Sequence, residues 1–189
     1  MSTRDRIAEV ALQLFSERGY DAVGVAELAT RSGSTKPTIY HHFGSKLGLL
    51  ETLLRERFED WLERLADIAQ YRHDLPSNIY RLILAFFQFS QESPHFVRLQ
   101  WSLWLSPRDS TAHAAVRPFL LQQHALLEQL FIDAIPDHGN LRGHHRHYAL
   151  VLSGMLAGYV SAAPQLGQTL LEQDAYRLSK QFMYGIYAL

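Results

Sequence analysis

Between Gly24 and Leu47 the chain packs two helix starts, two helix stops and a tight turn into 24 residues, and this punctuation restricts its fold more than any other feature. Val25, Leu28 and Ala29 recur at helical spacing and give a short helix one apolar face. Gly33, flanked by Ser32 and Ser34, stops that helix and permits a sharp turn. Thr35 is placed to cap a second helix through its hydroxyl, and Pro37 falls in the first turn, where a missing N–H costs nothing. Ile39 and Phe43, four residues apart, point this helix into a core, Gly44 ends it, and Ser45 can cap the next. What stays outside is Thr35, Lys36, Pro37, Thr38, Tyr40, His41 and His42: hydroxylated, cationic and aromatic, with no acid among them.

Charge is informative only locally. Over 189 residues, 18 Lys and Arg nearly balance 19 Asp and Glu. From Thr30 to Leu50, however, Arg31, Lys36 and Lys46 occur without a single carboxylate. A polyanionic partner requires such an acid-free surface, and a short helix with a polar start is what a DNA major groove admits. Lys46, in the first turn of the following helix, is a candidate phosphate clamp. A solvated polar face is the plainer reading of the same residues.

The segment from residue 5 to 54 resembles the DNA-binding domain of the TetR/AcrR transcriptional regulators. The resemblance runs through Ile7, Ala11, Leu14, Phe15, Gly19, Tyr20, Val25, Leu28, Ala29, Gly33, Thr38, Ile39, Tyr40, His42, Phe43, Ser45, Lys46 and Leu50. Three positions depart from the family pattern. Gly24 stands where a Ser or Thr commonly caps the second helix and touches a phosphate. Ser34 replaces a small apolar turn residue and Gly48 replaces a Glu, and both are expected to soften a helix start.

The rest of the chain reads as helices, with no alternating strand pattern, so an all-α fold of about nine helices is expected. The spans are residues 3–19, 46–71, 76–91, 94–106, 110–135, 144–162 and 174–188, beside the two short helices already described. Pro118 is expected to kink or break the span 110–135, and residues 137–143 to form a loop. The expected division is a three-helix helix-turn-helix domain over residues 1–45 and a larger helical ligand-binding and dimerisation domain over 46–189.

Two features of the larger part bear on function. Its aromatic load exceeds what a core of that size needs, and the resemblance implies an inducer pocket between these helices. Phe86, Phe89, Trp101, Trp104, His124, Tyr148, Met155 and Tyr159 are the candidate ligand-binding residues, and core packing is the competing reading for each. Gly154, Gly158 and Ser161 form a stripe of small residues on the penultimate helix, where glycine costs about 1 kcal/mol against alanine. Close approach of another helix would offset that cost. The resemblance implies that the last two helices pair with their copies, so Phe182, Met183 and Ile186 join the stripe as candidate dimer-interface residues.

With no cysteine, disulfides, thiolate metal sites and cysteine nucleophiles are excluded. No hydrolase elbow, phosphate-cradling glycine loop or zinc-protease motif is present, and no enzyme, cofactor or metal is expected. His138, His144 and His147 crowd one loop and helix start, which leaves a metal-responsive regulator as an alternative; a helical protein-interaction module is another. The polar start Met1–Arg6 is unlike an export signal, and no stretch is expected to be long and apolar enough to cross a membrane, so a cytoplasmic location is expected. The resemblance implies a homodimeric regulator, a repressor by default, that binds double-stranded DNA at a palindromic operator and is released by a small, largely apolar or aromatic effector.

Overall fold

The computed structural model describes residues 1–185, so Ile186 lies outside the described residues. Among those described there is no strand, and nine α-helices follow one another along the chain. They are α1 (Thr3–Arg18), α2 (Val25–Arg31), α3 (Lys36–Phe43), α4 (Lys46–Ala69), α5 (Leu75–Glu92), α6 (Pro94–Trp104), α7 (Thr111–Asp133), α8 (His145–Ala162) and α9 (Glu172–Tyr184). The chain divides into two compact units: Met1–Asp60 with Pro94–Phe119, and Trp61–Ser93 with the residues from Leu120 onward. Residues 46–60 and 94–119, expected beyond a boundary at 45/46, therefore fold with the N-terminal helices.

In the first unit, Ser2 and Asp5 cap α1 reciprocally: the Asp5 N–H donates to the Ser2 hydroxyl at 3.1 Å and the Ser2 N–H to the Asp5 carboxylate at 3.0 Å. Ile7, Ala11 and Phe15 bury the inner stripe of α1, against which α6 packs. The Ser16 hydroxyl donates to the Gln13 carbonyl and accepts from His95 Nδ1 at 2.9 Å, fastening α6 to α1. Arg4 pairs with Glu56 and Arg57 with Glu9, which holds α4 alongside α1. Phe58 sits edge-on to Phe96 and stacks on Phe119 at 4.9 Å, so α4, α6 and α7 share one aromatic core.

The expected interruption at Pro118 does not occur, and α7 runs through it. Proline removes one helical hydrogen bond, that to the Ala114 carbonyl. Ala114 and Pro118 are both exposed, so water can serve that carbonyl and the helix continues.

In the second unit Trp61 organises the core. Its ring stacks on Phe89 at 4.1 Å and meets Phe86 edge-on at 4.8 Å, while its N–H donates to the Gln123 side chain at 2.7 Å. Buried Asn78 pins the turn between α4 and α5: its amide donates to the carbonyls of Ile68 and Gln70, and its oxygen accepts from the Arg72 N–H. α5 and α9 lie side by side; the Tyr80 hydroxyl donates to Glu172 in the first turn of α9, and the Gln91 amide donates to the carbonyl of Leu170, just before that helix. α8 carries Ala149, Leu152, Leu156 and Val160 inward and leaves Leu150, Val151, Gly154 and Gly158 exposed. One expectation is corrected here: residues 145–166 are long and apolar enough, by length and composition, to cross a membrane. Small residues interleaved with Leu and Val carry that apolarity; only 28% of the apolar window is buried within the chain.

Candidate nucleic-acid interface

The turn before α3 is built by backbone bonds that the sequence punctuation permits. Gly33 adopts φ +59°, a conformation side chains disfavour, and the Ser34 N–H then donates to the Ala29 carbonyl at 2.8 Å. Thr35 caps α3 by accepting from the Thr38 N–H at 3.3 Å, and the two threonine hydroxyls lie 2.8 Å apart. Ile39 and Phe43 are buried, which orients the helix. Thr35, Lys36, Pro37, Tyr40, His41 and His42 are exposed and Thr38 is half-buried, so the structure gathers these seven on the outward side of one short helix. Tyr40 is 47% exposed despite its apolar ring. The rings of His41 and His42 meet edge-on at 5.4 Å. Lys36 belongs to no ion pair among the described residues. The start of α3 therefore offers an uncompensated cation, hydroxyls and a positive helix end. Gly24 begins α2 with no side-chain hydrogen bond, so any polar contact there falls to the backbone.

Lys46 stands at the edge of this surface. Its ammonium lies 4.2 Å above the Tyr20 ring and 3.4 Å from the Asp21 carbonyl, and Tyr20 in turn packs edge-on against Phe15. Burial pushes the Lys46 ammonium below the usual lysine value, with Asp21 opposing, and it pushes the Tyr20 phenol up. Lys46 thus ties the end of α1 to the start of α4 and retains donors for an outside acceptor.

The start of α4 is tight where softening was expected. The Ser45 N–H donates to the Phe43 carbonyl at 2.8 Å across Gly44 (φ +73°, ψ −47°), a γ-turn of the rare, strained hand. The Gly48 N–H donates to the Ser45 hydroxyl at 2.9 Å. A Cβ on Gly48 would stand 2.1 Å from the Phe43 carbonyl oxygen. Glycine at position 48 is a consequence of how α3 hands over to α4.

The ligand-binding candidates divide between the units. Trp101 and Trp104 belong to the first, where Trp104 stacks on His113 at 5.0 Å and His113 Nδ1 lies 3.0 Å from the Trp104 carbonyl. The Trp101 N–H is buried without a hydrogen-bond partner. In the second unit Phe86 and Phe89 meet on Trp61, Tyr148 lies against Phe131, and Tyr159 stacks on Phe87 at 5.9 Å. His124 Nδ1 is 3.1 Å from the Ser153 hydroxyl, and Met155 is half-buried on α8. Sequence reasoning missed Gln123, whose buried amide holds Trp61, because a polar residue four places past Phe119 carries no sign of its partner.

Of the dimer-interface candidates, Gly154, Gly158 and Ser161 are exposed on α8, and a Cβ on either glycine would meet nothing within 4 Å. Phe182, near Phe131, and Met183 are half-buried on α9. Among the described residues no three of His, Asp and Glu come together as a metal site; His144 and His147 flank Tyr148, and His138 lies against Tyr71.

Residues 7–53 match the family model described as bacterial regulatory proteins, tetR family. The transcriptional activator FasR of Mycolicibacterium smegmatis is 30% identical over 96 residues, 51% of this chain and 44% of that protein. The transcriptional repressor KstR2 of Mycobacterium tuberculosis is 35% identical over 88 residues, 46% of this chain and 44% of that protein. The chain thus spans less than half the length of these curated relatives. Over nearly all of both chains, the fold is that of FadR from Bacillus subtilis, solved in complex with stearoyl-CoA: TM-score 0.78, 18% identity, 96% of this chain and 98% of that one.

Proposed function

We propose that this chain, whose residues 7–53 match the model of the tetR family of bacterial regulatory proteins, is a ligand-responsive transcriptional regulator of that family acting as a homodimer on a palindromic operator. The observation that carries the reading is the exposed, acid-free side of α3, held outward by buried Ile39 and Phe43. Lys36, Thr38, His41 and Pro37 approach base edges; Thr35, Tyr40, His42 and Lys46 hold phosphates and set register. Repression is the favoured sense, in line with KstR2, although FasR is an activator. The work is done by binding rather than by catalysis, in the cytoplasm where the operator is.

Dimerisation accounts for the outward side of α8. A helix this apolar, bare along Leu150, Gly154 and Gly158, calls for a second dry surface, and a two-fold operator calls for a second copy. The effector is a small, largely apolar or aromatic molecule in the second unit; FadR, which shares the fold, binds stearoyl-CoA, whose acyl chain is apolar. A gel shift on DNA upstream of the chain's own gene, at low and high salt, tests the reading. Salt-sensitive binding supports it, and failure to bind at low salt overturns it.

A further inference from the structure

The first unit contains a groove of about 470 Å³ that neither the DNA surface nor the effector reading uses. Its floor is apolar, made by Phe43, Pro118 and Phe119, and one wall is the face of α4 that carries Glu51, Thr52 and Arg55. The volume lies within the range of small-molecule sites.

The charges on that wall have no ion-pair partner among the described residues. Glu56 and Arg57, on the other side of α4, are both paired with α1. Glu51 and Arg55 are exposed and stand in no ion pair among the described residues, although their i,i+4 spacing would favour one. On α7, Pro118 deprives the Ala114 carbonyl of its helical donor, and both residues line the groove. Phe119 is half-buried with one face stacked on Phe58, and Pro118 is exposed. The groove thus offers a fork of guanidinium donors, a carboxylate, a carbonyl that is free of a helical donor and open to a ligand in place of water, and an apolar lining.

We propose that this groove binds a zwitterionic α-amino acid with a bulky apolar side chain. Its carboxylate lies on Arg55, its ammonium between Glu51 and the Ala114 carbonyl, and its side chain on Pro118 and Phe119. Because Phe43 closes α3, the occupant touches the last residue of the DNA-facing helix. This site is separate from the effector region proposed for the second unit and does not depend on it.

Calorimetry on the full chain with L-phenylalanine tests the proposal, with 3-phenylpropanoate lacking the ammonium and phenethylamine lacking the carboxylate. Saturable binding at one per chain is expected, about tenfold tighter than either truncated compound. Arg55→Gln should abolish the preference over phenethylamine and Glu51→Gln the preference over 3-phenylpropanoate, with the Phe43 and Gly48 amide resonances moving only in the chain that binds. No saturable binding below about 10 mM, or preferences that survive both substitutions, overturns it. Operator binding by the ligand-free chain, measured alongside, keeps a failure here apart from a failure of the regulator reading.

Discussion

Gly48→Ala is the sharpest single perturbation of the α3–α4 junction, because two physical effects give it opposite signs. Within a helix, alanine stabilises by about 1 kcal/mol relative to glycine. Against that, the added Cβ would stand 2.1 Å from the Phe43 carbonyl oxygen, where ordinary contact begins at 3.4 Å. The oxygen is backbone and already accepts from the Ser45 N–H across the strained turn at Gly44, so it cannot rotate aside. Relief requires the end of α3 to shift by more than an ångström, and overpacking of this kind costs about 1–3 kcal/mol. The net expectation is destabilisation, seen as a fall in Tm of about 2–4 °C for each kcal/mol in a chain of this size. Operator affinity is expected to fall further than stability, because Phe43 anchors the helix proposed to meet DNA. Thermal unfolding by circular dichroism and titration of labelled operator measure the two effects. A Gly48→Ala chain that is more stable than the parent, with unchanged affinity, would refute the argument.

Lys36→Ala is expected to relax sequence preference, whereas Lys46→Ala weakens all DNA sequences about equally and lowers the salt slope by about 1; anisotropy titrations across salt separate the two. Trp61→Phe keeps the stacking on Phe89 but leaves the buried Gln123 oxygen unpaired, so urea unfolding should show a loss of about 1–3 kcal/mol. Gly158→Arg adds a side chain where nothing lies within 4 Å, so it should leave the subunit folded and yield monomers by light scattering. Hydrogen bonds from His73 and then Tyr71 hold the Asp137 carboxyl below the usual carboxylate value. Since that folded value lies below the unfolded one, the stabilisation is present above about pH 4 and is lost as pH falls from there through the folded value; Asp137→Asn should remove this part of the acid dependence in unfolding titrations.

The N-terminal helices were legible because their signals are local. Thr35, Gly33, Pro37 and Gly44 each act within four residues, through a cap, a positive φ or a missing N–H. The burial of Ile39 and Phe43 followed from spacing alone. What the sequence hides depends on partners far along the chain. Trp101 and Trp104 read like the other aromatics, yet α6 packs on α1 and carries them into the first unit. Gly48 looked like a weak helix start because the Phe43 carbonyl that requires it is placed by the turn at Gly44. Pro118 suggested a break, but the one bond it removes ends at an exposed carbonyl. The apolar length of α8 was underestimated because its glycines and alanines dilute the leucines in any short window.

The central claim is that two copies of α3 are presented side by side to one duplex. Hydroxyl-radical footprinting of the bound operator tests it most directly. Two protected patches on one face of the DNA are predicted, about 34–36 Å apart or at a multiple of that spacing. A single patch, or protection running evenly around the duplex, would contradict it.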